Sequence, residues 1–159
     1  MSNTDLFSDI VLTGRGVISP FGLGWEPFEK ALQSRQSAVK PLTRFQRENW
    51  CRAQLAATVP EFSLEKLTSN PKESSRAVPL LRLAWAAMHF ALEDARIVME
   101  YPLTERVGIF VGLGRFVFDR VEYIFDKILT GKVHEVLPIR VEGIHPHGTA
   151  VHLAICIKS

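Results

Sequence analysis

Apolar positions recur along this chain in two rhythms, and the alternation between them predicts its elements. Residues 9–13, Asp-Ile-Val-Leu-Thr, form a short and partly β-branched apolar run that ends at Gly14, Gly16, Pro20 and Gly22. This is the pattern of a buried strand entering a tight loop. Over residues 26–33 the apolar positions Phe28, Ala31 and Leu32 fall at helical spacing. Pro27 lies in the first turn of that helix, where its missing N–H leaves no bond unmade. Residues 34–52 are mixed in polarity, contain Pro41 and read as a loop, after which Gln54-Leu-Ala-Ala-Thr-Val59 predicts a second strand closed by Pro60.

The strongest element covers residues 79–95. There Arg82, His89, Glu93 and Arg96 fall on one narrow polar stripe and almost every other position is apolar, so the helix is expected to be covered on most sides. Residues 106–112, Arg-Val-Gly-Ile-Phe-Val-Gly, place Val107, Ile109 and Val111 in alternation with Gly108 and Phe110, as an interior strand does. A third helix follows, since Phe118, Val121, Phe125, Ile128 and Leu129 repeat at three and four residues and Gly131 stands at a helix C-terminus. Strand and helix thus alternate three times, which predicts a layered α/β architecture with a mixed central sheet covered by helices. No internal repeat or low-complexity tract interrupts the order.

Composition narrows the partners and the compartment. A chain of 159 residues fits one domain, 1–159. A net charge of +2 is too small to create a broad field, so neither nucleic acid nor an acidic membrane surface is expected as a partner. The longest apolar stretch, residues 83–92, is broken by His89 and falls far short of the ~20 residues that span a bilayer. The N-terminus, Met-Ser-Asn-Thr-Asp-Leu-Phe-Ser-Asp, lacks a basic segment followed by an apolar run, which places the protein in the cytoplasm. Cys51 and Cys156 are far apart and belong to no ligand motif, so both are expected as reduced thiols.

The loop Thr13-Gly14-Arg15-Gly16-Val17-Ile18-Ser19-Pro20-Phe21-Gly22 comes close to a dinucleotide-binding turn, a strand followed by Gly-x-Gly. It departs at the third small position, where Ser19-Pro20 prevents the helix from starting at the turn that would hold phosphate. A structural role, in which the glycines let two stretches of backbone approach closely, accounts for the same residues. A small nucleotide-binding α/β domain stays open as an alternative.

The whole stretch Ile10-Val-Leu-Thr-Gly-Arg-Gly-Val-Ile-Ser-Pro-Phe-Gly22 closely resembles the opening of β-ketoacyl synthases, which reads apolar-apolar-Thr-Gly-x-Gly-x-x-Ser-Pro-x-Gly. The likeness continues in order. Residues 25–41 resemble the family's next helix and its exit, and Arg44-Phe45 the segment after it. Leu83-Ala-Trp-Ala-Ala-Met-His-Phe-Ala-Leu-Glu-Asp-Ala95 is similar to its alanine-rich helix, and Arg106-Val-Gly-Ile-Phe-Val-Gly-Leu-Gly114 to the strand and glycine turn that follow.

This resemblance implies a thiolase-like half-fold, incomplete by itself, from an enzyme that works as a dimer. The family reaction loads an acyl group onto a cysteine and extends it by decarboxylative condensation with a malonyl carrier-protein thioester. The nucleophile sits in a Thr-Ala-Cys or Ser-Ala-Cys setting near the end of the first half, and two histidines and a lysine come from the second half. Activation needs a lowered thiolate pKa, an oxyanion hole and a positioned base. None of those segments occurs in the 159 residues, so the resemblance assigns this chain no catalytic residue, no cofactor and no metal, and implies a truncated synthase inactive alone. Acyl carrier protein, or a complete ketosynthase that the chain joins as a chain-length-factor-like subunit, is the implied partner. Self-association is expected from the uncovered apolar helix faces and the unpaired sheet edge.

Several other residues are of types that carry chemistry. Cys156 is flanked by Ile155 and Ile157, where a nucleophile turn needs small residues, and it reads as an unreactive thiol. By position, His147-Gly-Thr-Ala-Val-His-Leu-Ala154 resembles the helix that precedes the nucleophile strand. Cys51 lies between Trp50 and Arg52 with no neighbouring base. His145, His147, His152 and Cys156 are suitable zinc ligands by type, but their spacing fits no standard site. Arg115 stands where many ketosynthases carry a small apolar residue near the acyl channel, and reads as an exposed turn arginine, since a buried unpaired charge there is expensive, with an altered chain-length pocket as the alternative.

Overall fold

The computed structural model describes residues 10–43, 54–68, 74, 77–98, 107–114, 118–136 and 147–157. They form four α-helices and two short antiparallel hairpins. The chain divides into two compact units, one of residues 1–63 and 86–98, the other of residues 64–85 and 99–159.

In the first unit, β1 (Ile18–Ser19) pairs with β2 (Gly22–Leu23) in the register Ile18 to Leu23 and Ser19 to Gly22. Pro20, whose φ is preset for a turn, leads the two-residue connection. The buried Ser19 hydroxyl closes the turn from inside: its Oγ accepts from the Phe21 N–H at 3.2 Å and donates to the Gly22 carbonyl at 3.4 Å. Gly22 and Gly24, at φ 135° and 86°, hold backbone conformations that side chains resist. The Gly24 N–H then bonds the Val17 carbonyl at 2.8 Å, and α1 (Trp25–Gln33) begins. Trp25 and Phe28 stack tilted with centroids 5.8 Å apart, and Ala31 is buried.

The region 34–52, expected as loop, contributes a strand. β3 (Lys40–Pro41) pairs with β4 (Leu55–Ala56), and the Leu42 N–H extends the ladder to the Gln54 carbonyl at 2.8 Å. The strand expected over 54–59 is therefore present but short. Pro41 has no N–H to give, which limits how far a ladder can run along this partner.

Helix α2 (Pro79–Ala95) has the bounds that its sequence pattern predicts. Along it, Pro79, Glu93 and Asp94 are exposed and every other residue is buried or half-buried, as its narrow polar stripe requires. In the second unit Leu81 and Trp85 of this helix are buried, as are Leu64, Ser74 and Leu153. Arg82 of α2 faces Glu65 of the 3-10 turn Leu64–Lys66 at 3.9 Å. The unit also contains α3 (Phe118–Leu129), the 3-10 turn Val133–Glu135 and α4 (Gly148–Ile157). Among the described residues no helix is long and apolar enough to cross a membrane.

Two expected strands do not form. Within residues 9–13, the described Ile10, Val11 and Leu12 are 70%, 74% and 89% exposed and belong to no strand. The described part of 106–112 likewise lies outside any strand, and Phe110 is exposed. Apolar alternation marks a segment that is suited to a sheet, but the strand itself exists only through hydrogen bonds to a neighbour. Among the described residues neither segment has that neighbour, and the expected central sheet is represented by the two small hairpins.

Three helices end in the same way. After α1, Arg35 takes φ 53°, with Gln36 N–H bonded to Ala31 O and Arg35 N–H to Leu32 O. After α2, Arg96 takes φ 56°, with Ile97 N–H bonded to Leu92 O and Arg96 N–H to Glu93 O. After α3, Gly131 takes φ 70° in the same bonding pattern. These are Schellman caps, which place one left-handed residue after the helix to satisfy its last carbonyls. Glycine does so without strain, whereas a side chain in that region costs roughly 1–2 kcal/mol. Arg96→Gly is accordingly expected to stabilise the protein by about 0.5–1 kcal/mol after the greater entropy of the unfolded glycine is subtracted. Thermal melts of the variant and parent check this, with a rise of about 2 °C expected.

At the end of α3, Lys127 hydrogen-bonds and ion-pairs with Glu135 and lies 5.5 Å from the Tyr123 ring. The Glu135 hydrogen bond is the main cause that raises the Lys127 pKa above 10.5, with its charge adding to the rise and burial opposing it. A raised folded-state pKa stabilises the fold fully below the unfolded value, and the contribution is lost as pH climbs through the raised one. Glu135→Gln should bring the Lys127 titration back toward 10.5, as measured by NMR of its side-chain carbon next to the amine.

Candidate functional site

The loop that resembles a phosphate cradle is packed against the middle of a helix. A Cβ built on Gly14 would come within 2.3 Å of the Ala91 carbonyl oxygen and 2.6 Å of the Ala95 nitrogen. One built on Gly16 would come within 1.9 Å of the Ala87 carbonyl oxygen and 2.7 Å of the Ala91 nitrogen. Alanines at 87, 91 and 95 repeat every four residues and so share one face of α2. Both sides of this contact are stripped to backbone and methyl groups, which lets loop and helix approach this closely.

Arg15, between the two glycines, is held at the rim. Its N–H bonds Asp94 Oδ2 at 3.0 Å, its Nε lies 3.9 Å from the same oxygen, and its guanidinium stacks 4.0 Å above the centre of the Trp25 ring. The Trp25 indole N–H in turn donates to Glu29 at 3.0 Å. Nothing in the sequence alone announces this linkage. Arg15 and Asp94 are 79 positions apart, and no local periodicity connects them, although each sits inside one of the two most family-like motifs.

An anion needs converging N–H groups or a helix N-terminus. The nearest helix atoms at Gly14 and Gly16 include mid-helix carbonyl oxygens, and the first turn of α1 carries the acidic Glu26 and has Gly24 at its cap. The loop geometry therefore fits the structural reading of the glycines, which meet the middle of a helix where a phosphate cradle would meet a helix N-terminus. Beside the loop, a groove of about 400 Å³ is lined in part by Phe21, Ser37, Lys40, Thr43 and Thr58. Among its lining residues there is no histidine, cysteine or carboxylate, so it presents hydroxyls and one ammonium but no nucleophile paired with a base.

The described loop and helix lie inside residues 7–153, which match the family model for the β-ketoacyl synthase N-terminal domain. The chain belongs to that family. Among its relatives, 3-oxoacyl-[acyl-carrier-protein] synthase 2 of Coxiella burnetii is 29% identical over 134 residues, covering 84% of this chain and 32% of the relative. The namesake enzyme of Vibrio cholerae is 31% identical over 146 residues, covering 92% of this chain and 35% of the relative. Of solved structures, the ishigamide ketosynthase/chain length factor superposes with a TM-score of 0.69 at 26% identity, over 93% of this chain and 36% of that one. A beta-ketoacyl synthase from Burkholderia phymatum superposes with a TM-score of 0.76 at 22% identity, over 92% of this chain and 36% of its own, and shows the shared fold. The chain thus spans about a third of the length of the relatives it matches.

Within this ketosynthase domain the remaining chemical candidates are dispersed. Cys156 is half-buried in the last turn of α4, between Ile155 and Ile157. A thiolate is favoured at a helix N-terminus, the opposite end from the one Cys156 occupies. His152 donates from Nδ1 to the Gly148 carbonyl at 2.7 Å, and that carbonyl fixes the proton on Nδ1 because it can only accept. His147 stands exposed just before α4. His145, Cys51 and Arg115 lie outside the described residues, as do Arg44, Phe45 and Arg106. Among the described residues no group of three or more histidine, cysteine or carboxylate side chains comes together to hold a metal.

The glycine contact makes a direct prediction. Gly16→Ala drives a methyl group into a helix carbonyl that cannot step aside, so the variant should lose about 1–3 kcal/mol or more through overpacking. Gly112→Ala, where an added Cβ meets nothing within 4 Å, should leave stability within about 0.5 kcal/mol of the parent. Urea unfolding of both variants checks the pair, and equal midpoints would contradict the close packing.

Proposed function

We propose that these residues are the N-terminal framework of a ketosynthase that serves fatty-acid or polyketide synthesis in the cytoplasm, and that they catalyse no condensation by themselves. The observation that carries this reading is a family match over residues 7–153 in a sequence without a Thr-Ala-Cys or Ser-Ala-Cys segment. The relatives' names support the pathway, and the two thirds of their length beyond this match are where the proposal puts the nucleophile, the histidines and the lysine. In the complete thiolase-like fold, residues 9–13 and 106–112 become strands of the central sheet. Their apolar alternation suits that place, and the exposure of Ile10, Val11, Leu12 and Phe110 is then the surface that the remaining polypeptide covers.

A second reading keeps the same fold but makes the chain a non-catalytic subunit beside a complete synthase or its acyl carrier protein. The structural likeness to the ishigamide ketosynthase/chain length factor favours it over a nucleotide-binding domain, which the helix carbonyls against Gly14 and Gly16 disfavour. A pull-down with acyl carrier protein and with a full-length synthase separates the subunit reading from that of a framework segment.

Incubation with acyl-CoA or acyl carrier protein should leave the intact mass of the 159-residue chain unchanged. A stable acyl adduct that disappears in Cys156→Ala would overturn the non-catalytic reading.

Uncovered apolar side chains also make self-association the expected behaviour of the isolated chain. Sedimentation and light scattering should show dimers or larger species, and Val11→Lys with Leu12→Lys should shift them toward monomer. A monomer that melts cooperatively and binds no apolar dye would contradict the uncovered surface.

A further inference from the structure

We draw no further inference here: the strongest candidate, the exposed apolar segment Ile10, Val11 and Leu12 ahead of the glycine loop, carries nothing beyond the proposed pairing because nothing in the structure shows what covers it.

Discussion

The first unit depends on a contact from which side chains are excluded. Gly14 and Gly16 lie against the backbone of α2 at Ala87, Ala91 and Ala95, so close that a single methyl on either glycine would collide with a helix carbonyl. Residues 86–98 join residues 1–63 in one compact unit, although some 70 positions of chain intervene. Bringing such distant segments together has a loop-closure cost that grows slowly with length, and close packing offsets it by dispersion over many atom pairs. The rim then adds direction. Residue 15 alternates with the two glycines, and its guanidinium ties the loop to Asp94 on the helix and to Trp25 at the start of α1. Both partners are partly exposed, so these links contribute less than the packing beneath them and serve mainly to fix register.

The same contact explains why this loop imitates a nucleotide-binding turn. Both motifs use glycine for one physical reason, that a missing Cβ lets something approach the backbone. What approaches differs. A phosphate cradle presents N–H groups at the beginning of a helix, whereas here the middle of a helix presents carbonyl oxygens at two successive turns. The Ser19-Pro20 step marks the difference in the sequence itself. It forms a hairpin, closed by the Ser19 hydroxyl on Phe21 and Gly22, and so delays α1 until Trp25.

Helices were legible because their determinants are local. The pattern over 79–95 contains every contact that makes α2 a helix, and its predicted bounds coincide with the observed ones; α1 starts one residue earlier than its apolar spacing indicates. Strands were not legible in the same sense. The alternation in 9–13 and 106–112 records what those residues are suited to bury, but pairing depends on a neighbour elsewhere in the chain. Conversely, β1 to β3 are two residues each, too short for a period of two to register, and β4 was legible only through the longer run 54–59 that Pro60 closes. The caps at Arg35 and Arg96 were equally hidden, since arginine gives no local sign of a left-handed backbone, whereas Gly131 does. At the site, the Gly-x-Gly and Ala-Leu-Glu-Asp-Ala motifs were each readable. Their contact was not, because 79 positions separate Arg15 from Asp94.

Scaffold and chemistry make different demands on a sequence, and this chain carries the marks of the first. A reactive thiol needs small neighbours, an electropositive setting and a base within hydrogen-bond reach; Cys156 has isoleucine on both sides and occupies the final turn of its helix. A scaffold needs apolar faces that fit a neighbour and glycines where backbones meet, and those features dominate here. The buried apolar side chains Ala31, Leu64, Leu81, Trp85, Ala86 and Leu153 each contribute roughly 25 cal/mol for each square ångström withdrawn from water. Ile10, Val11 and Leu12 are of the same chemical kind but remain exposed. A segment of three consecutive apolar residues presents side chains to both sides when it is extended, so an edge partner alone would cover its backbone and leave both faces bare. Full cover requires a sheet packed on both faces, which two small hairpins do not provide.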